Sequence, residues 1–258
     1  MQESNIIQWL VLALVQGLTE YLPISSSAHL ILISKIMSWE DQGQIIDIAA
    51  HGGSLMAVIW YFKKEVTKLF KGENWPLFLQ LAIASIPIAI VGLLFADQVE
   101  KYLRSPLVIA IASIVFGVIL YYSDRLRSKC KQKQVTMSYK QVLLIGLSQV
   151  FALIPGASRS GVTMSMAMAQ GFSRTKAAEF SFLLAIPTLL MTTGYGFLKL
   201  YKQPESYNIV AIAVIFIVSF FASIVSIKLF LKVIEKITIA TFVWYRIILA
   251  LLIIWYLY

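Results

Sequence analysis

Charged side chains are scarce in this chain. Asp, Glu, Lys and Arg make up 14% of its 258 residues and hydrophobic types 59%, against about 25% and 45–50% in soluble domains. That leaves too little polar side chain to coat a soluble globule, and the hydrophobicity excludes intrinsic disorder. Acidic residues are the scarcer sign, 13 against 22 Lys and Arg, for a net charge of +9. In a soluble chain such an excess suggests nucleic-acid binding. Here the cations are spread over several short segments between apolar runs, the pattern of cytoplasmic loops in a membrane protein, so no nucleic acid is expected as a partner. The single cysteine, Cys130, excludes an internal disulfide. Met1 to Asn5 contain no Lys or Arg, so a cleavable signal peptide is not expected. No CxxC, Walker loop, GxGxxG or HExxH occurs, and nucleotide and zinc chemistry lack support.

What is abundant is long apolar sequence. A helix needs about 20 apolar residues to cross the hydrocarbon core. Six stretches reach that length: about 43–62, 77–96, 105–123, 176–198, 207–231 and 238–258. Two further apolar regions are interrupted, about 4–37 by Leu22-Pro23-Ile24-Ser25-Ser26-Ser27 and about 139–170 by Pro155-Gly156-Ala157-Ser158-Arg159-Ser160-Gly161. Proline breaks a helix by removing a backbone donor. Backbone freed at membrane depth persists only where protein or a wet cavity satisfies it. Both regions therefore read as re-entrant helical hairpins. The expected fold is an all-α polytopic membrane protein with six full transmembrane helices plus two re-entrant helix pairs.

A shift of 132 residues lays Pro23 on Pro155, Ser26 on Ser158 and Asp47 on Glu179. One broken hairpin and three spans then occur twice. Three is odd, so the second half enters from the opposite side, as an inverted-topology repeat. The expectation is one membrane domain, 1–258, with pseudo-repeats of about 1–125 and 138–258 and a basic cytoplasmic linker of about 124–138. Segments 63–75, 124–140, 171–176 and 228–236 hold 15 Lys and Arg, whereas 38–42, 97–104 and 199–206 hold four. The positive-inside rule assigns the first set to the cytoplasm. Both termini and the mouth of the first hairpin then face outside.

Charges within apolar segments are costly and mark functional sites. The set is short: Glu20, Asp47, Arg159, Glu179 and Arg246, with His29 and His51, the chain's two histidines. Gln16 and Glu20 are four apart and share a helix face aimed at the first break. Ser25, Ser26 and Ser27 open the helix that follows. A helix N-terminus with free N–H groups and hydroxyls receives anions, phosphate above all, whereas one serine would suffice as an N-cap. His29 lies one turn after Ser26 on the same face. In the second break Gly156 and Gly161 permit close backbone approach. Ser158, Ser160 and Thr163 add hydroxyls, and Arg159 supplies a planar fork of donors for phosphate oxygens. Small-residue packing explains the glycines but not Arg159. Arg246 reads as snorkelling or paired with a helix terminus, and Asp47 and Glu179 as supports for the hairpins. The two breaks together imply an anionic substrate held where they meet.

The runs Gln16-Gly-Leu-Thr-Glu20-Tyr-Leu-Pro-Ile-Ser-Ser26-Ser-Ala-His29 and Pro155-Gly-Ala-Ser158-Arg159-Ser-Gly-Val-Thr163 closely resemble the undecaprenyl-diphosphate phosphatase family of the bacitracin-resistance type. The resemblance covers essentially the whole chain. It implies hydrolysis of undecaprenyl diphosphate to the monophosphate carrier lipid at the outer face of the bacterial plasma membrane. That step serves peptidoglycan synthesis and confers bacitracin resistance. The resemblance also implies a divalent cation, Mg²⁺ or Ca²⁺, and membrane lipids as surroundings. Ser26, His29 and Arg159 match the family's catalytic Ser, His and Arg, and Ser158 and Thr163 its phosphate-loop hydroxyls. Glu20 and Gln16 match its acidic motif and would hold the cation, although some members carry Glu where this chain has Gln16.

In the expected mechanism Glu20 holds the cation and Arg159 stabilises the transferring phosphoryl group. Ser25, Ser27, Ser158, Ser160, Gly156 and Thr163 line the substrate. Ser26 or a water attacks, with His29 as general base, and a nucleophilic His29 stays open beside these. A secondary transporter or lipid flippase is the alternative, since inverted repeats with broken helices suit transport equally. Oligomeric state is open from sequence, a homodimer included.

Overall fold

The computed structural model describes residues 6–39, 44–129, 136–202 and 208–257. Cys130, Lys131 and Lys133 of the basic linker lie outside them. Every regular element among the described residues is a helix: α1 (Ile6–Thr19), α2 (Ser26–Ile36), α3 (Gln44–Tyr61), α4 (Lys63–Phe70), α5 (Trp75–Tyr102), α6 (Pro106–Lys129), α7 (Tyr139–Gln149) with a 3₁₀ turn (Val150–Leu153), α8 (Arg159–Ala169), α9 (Arg174–Lys202), α10 (Ile209–Val233) and α11 (Ile239–Leu257). Local sequence sets several of their starts. Asn74 accepts from Leu77 N–H ahead of α5, Ser138 and Gln141 form a capping box on α7, and Asn208 accepts from Val210 and Ala211 on α10.

Among the described residues, five helices are long and apolar enough to cross a membrane: α5, α6, α9, α10 and α11, with mean hydropathies of 1.5 to 2.8 over their apolar windows. Their outer faces carry exposed Leu93, Leu94, Phe221, Leu251 and Trp255, a surface that only lipid satisfies. The protein is a multi-pass helical membrane protein. The expected sixth span is helical as α3, but it is not among these five, because Asp47, His51, Gly52 and Gly53 interrupt its apolar run. The expected loop 63–75 contains the short helix α4, which has no buried residue.

Inside the bundle α3 packs on α9 and α10, α1 on α10, α5 on α7 and α9, and α6 on α8 and α11. Element order recurs at a spacing of 133 residues, that of Ser25 and Ser158. With this shift α1 falls on α7 and its turn, α2 on α8, α3 within α9, α5 on α10, and α6 on α11. Ser25 and Ser158 precede α2 and α8 in the same left-handed conformation, φ 70° and 69°. The expected shift of 132, taken from the two prolines, is therefore one residue short. Pro23 corresponds to Gly156 and Ser26 to Arg159, and Asp47 and Glu179 are not equivalent. Glu179 is half-buried on α9 and takes no part in the bonds that hold the second break.

Candidate functional site

Close packing fixes where α1 ends. Gly17 lies so near α10 that a Cβ would stand 2.7 Å from the Ser219 carbonyl oxygen. Ser219, Ser223 and Ser226 of α10 donate to the carbonyls of Ala13, Gly17 and Leu18 at 3.0, 3.1 and 2.7 Å. Small residues and interhelical hydrogen bonds are how membrane helices associate without a hydrophobic drive. Just beyond α1, fully buried Tyr21 donates to Ser54 O of α3 at 2.6 Å. The segment carrying Gln16 and Glu20 is thereby clamped between α10 and α3.

Glu20 is buried, and three donors converge on it. Gln16 Nε2 and Ser26 Oγ reach Oε2 at 2.8 and 3.0 Å, and Arg159 reaches Oε1 at 3.1 Å. Arg159 also donates to Ser181 O at 2.9 Å and lies over the Tyr21 ring, 5.7 Å from its centroid. A carboxylate from the first break thus meets a guanidinium from the second. Taking two charges out of water is costly, and such a pair persists only with good geometry and further hydrogen bonds, both of which are present.

The freed backbone of the second break is satisfied from within the protein. Ser158 caps α8 by accepting from Gly161 N–H at 3.2 Å, and Ser160 donates to Leu22 O at 2.8 Å, joining the two breaks. Gly156 (φ 95°) abuts α6, where a Cβ would stand 2.3 Å from Ile109 O. Of the two readings of Arg246, snorkelling is excluded because it is fully buried, and pairing at helix ends fits its acceptors. Arg246 donates to Ser113, Pro23, Gly156 and Ala157 carbonyls at 2.9 to 3.2 Å. Pro23 and Gly156 are equivalent positions, so one guanidinium ties both breaks. It stays buried because the breaks freed the carbonyls that its donors need.

A cavity of about 200 Å³ lies where the breaks meet. Of the expected site residues, Glu20, Ser25, Ser26, Ser27, Ser158 and Arg159 line it. Gln16, His29, Gly156, Ser160 and Thr163 do not. Thr163 sits behind Arg159, accepting or donating with Ser181 Oγ at 2.7 Å. His29 turns away to α11. Its Nδ1 donates to Ser25 O and its Nε2 pairs with Tyr245 OH, both at 2.6 Å, with the rings stacked. The structure does not bring His29 to Ser26; the hydroxyl's acceptor is Glu20. His51, Thr188 and Thr192 also line the cavity. His51 belongs to the short set that the sequence marks; periodicity could not single out Thr188 and Thr192, because they lie on a long helix, α9, whose packing partners no local pattern discloses.

No group of three or more His, Cys, Asp or Glu suited to a metal occurs among the described residues. The oxygen donors that remain are the Glu20 carboxylate and Gln16 Oε1, which is buried without a partner. That small set fits a cation shared with a phosphate-bearing ligand, since Mg²⁺ is usually held through one or two carboxylates plus substrate phosphates.

The fold and site define a class: multi-pass helical membrane proteins with a polar centre where two broken helices meet. The family model described as "Bacitracin resistance protein BacA" matches residues 9–252, and the chain belongs to that family. It is similar to the undecaprenyl-diphosphatase of Campylobacter concisus (strain 13826), 44% identical over 96% of this chain and 97% of that one. It is likewise similar to the undecaprenyl-diphosphatase of Campylobacter curvus (strain 525.92), 42% identical over 95% and 96%. The undecaprenyl-diphosphatase 2 of Stutzerimonas stutzeri (strain A1501) is 42% identical over the same shares.

Proposed function

We propose that the chain hydrolyses undecaprenyl diphosphate to undecaprenyl phosphate and inorganic phosphate, recycling the lipid carrier for peptidoglycan synthesis and giving bacitracin resistance. The observation that carries this reading is the hydrogen-bonded set of Glu20, Ser26 and Arg159 at one cavity. Moving a lipid does not call for a hydroxyl held on a buried carboxylate beside a guanidinium.

The diphosphate occupies the cavity and its polyprenyl tail leaves into lipid past Ile88, Leu153 and Leu189, which belong to the apolar part of the lining. Arg159 exchanges Glu20 for phosphate oxygens and stabilises charge on the transferring group. The first turns of α2 and α8 present N–H groups and the hydroxyls of Ser25, Ser27 and Ser158 to the same anion. Attack comes from Ser26 or a water, and Glu20, which already accepts from Ser26, orients that hydroxyl. His29 secures the serine turn through Ser25 O, and it serves as base only on releasing Tyr245. Ser160, Gly156 and Thr163 hold the second break in shape. Gln16 and Glu20 would bind a Mg²⁺ or Ca²⁺ ion, which supplies positive charge against a diphosphate set beside a carboxylate.

We further read α3 as the sixth span and α1–α2 and α7–α8 as re-entrant pairs of an inverted repeat within one domain. In support, the pairing α1–α10 becomes α7–α5 under the shift of 133, α3–α10 becomes α9–α5, and α3–α9 and α6–α11 map onto themselves. The charge bias supports a cavity mouth that faces the outer side of the plasma membrane.

Purified chain should release phosphate from undecaprenyl or farnesyl diphosphate, lose that activity in EDTA and regain it with Mg²⁺ or Ca²⁺. Intact lipid carried across a vesicle membrane without phosphate release would overturn hydrolysis in favour of a flippase, the reading that the recurring element order also suits. Full activity in EDTA would remove Glu20 and Gln16 from a metal role.

A further inference from the structure

The chain's two histidines differ in what their rings have left to offer. Both nitrogens of His29 are engaged, Nδ1 on Ser25 O and Nε2 on Tyr245 OH, and the ring does not line the cavity. His51 donates from Nδ1 to Asp47 O at 2.7 Å, one turn back on α3, and His51 lines the cavity with Glu20, Ser26 and Arg159. A carbonyl only accepts, so the proton sits on Nδ1 and the neutral ring carries its lone pair on Nε2. That atom has no hydrogen bond among the described residues.

The position is enforced rather than incidental. Gly53 packs on α10, where a Cβ would lie 2.3 Å from Phe216 O. Ser54 O holds Tyr21, the neighbour of Glu20, and Ser54 Oγ accepts from Ser223. His51 precedes Ser54 by three residues, so it shares the α3 face clamped to the first break.

From this geometry we infer that His51 is a further catalytic residue, which holds the hydrolytic water in line with the terminal phosphorus by accepting a hydrogen bond at Nε2. The inference rests on the hydrolytic reading. Phosphoryl transfer leaves a protein little covalent work, and much of its contribution is to position the nucleophile and stabilise charge. The water oxygen bonds to the terminal phosphorus, and the phosphoanhydride P–O bond breaks with its electron pair on undecaprenyl phosphate. Both water protons leave on the inorganic phosphate formed, and the ring exchanges none.

His51→Asn and His51→Gln separate the two ring nitrogens. Asn keeps a donor near Nδ1 and loses the acceptor at Nε2, whereas Gln places an amide at the reach of Nε2. Phosphate release from undecaprenyl diphosphate should fall about 100-fold in kcat for His51→Asn, the scale of a misplaced reacting group, with KM changed less than about threefold. His51→Gln should return to within about fivefold of the unsubstituted chain. Equal loss in both variants, or none in His51→Asn, overturns the assignment. Should His51→Asn not fold, His51→Ala with added imidazole replaces it, and a failure of imidazole to raise kcat counts against Nε2. An unsubstituted chain that releases no phosphate strikes the hydrolytic reading instead.

Discussion

The two helix breaks share a backbone and divide the chemistry. Each places a serine in the left-handed region, φ 70° and 69°, directly before an 11-residue helix. At the first helical position one has Ser26 and the other Arg159. Six residues earlier one has Glu20 and the other Leu153. The capping differs as well: Ser158 caps α8, while Ser25 makes no cap bond and lies 3.1 Å from Ser27 Oγ. The recurring conformation thus sets an acidic break against a basic one, and the buried Glu20–Arg159 pair joins them. The recurring backbone supplies position, and the residues that differ between the breaks supply the opposite charges.

The comparison breaks most sharply at its charges. Arg159→Ala should lower kcat/KM for undecaprenyl diphosphate at least about 1,000-fold, because it removes the basic break's donor and leaves Glu20 buried without its counter-ion. Arg159→Lys should recover little of this, since an ammonium cannot reproduce the planar fork that now reaches Glu20 and Ser181. Next comes Ser26→Ala, expected to cost about 100-fold in kcat while the protein stays folded. Near-normal turnover would show that Ser26 is not at the reaction centre. Arg246→Met sharpens the shared scaffold rather than the chemistry. It removes four hydrogen bonds to carbonyls, and a hydrogen bond to a charged group contributes about 1.5–3 kcal/mol, so thermal unfolding in detergent should fall by several degrees at least. An unchanged melting temperature would mean that the breaks stand without it. The smallest effect belongs to Ser25→Gly. Glycine accepts positive φ at no steric cost, so stability should hold within about 1 kcal/mol, measured in the same melts.

Much of this was legible in the chain itself. Apolar length marked the five long apolar helices, and proline and serine clusters marked the breaks, because both depend on local sequence. Glu20, Ser26 and Arg159 stood out since a membrane segment seldom carries such groups without use. What failed depended on which helix faces meet. The prolines suggested a shift of 132, but backbone conformation, set at Ser25 and Ser158, gives 133. Arg246 looked peripheral because nothing nearby in sequence could accept from it; its acceptors lie on α6 and in both breaks. His29 followed Ser26 by one turn yet faces Tyr245, 216 residues away, while His51 reaches the cavity from another helix.

That the two breaks act as one site is tested most directly by a double-mutant cycle on kcat/KM for undecaprenyl diphosphate, using Glu20→Gln, Arg159→Ala and the pair together. Groups that work as a unit are strongly non-additive. The double variant is expected to lose about as much as the worse single variant. Losses that multiply, as for two independent sites, would contradict a shared centre built from both halves of the chain.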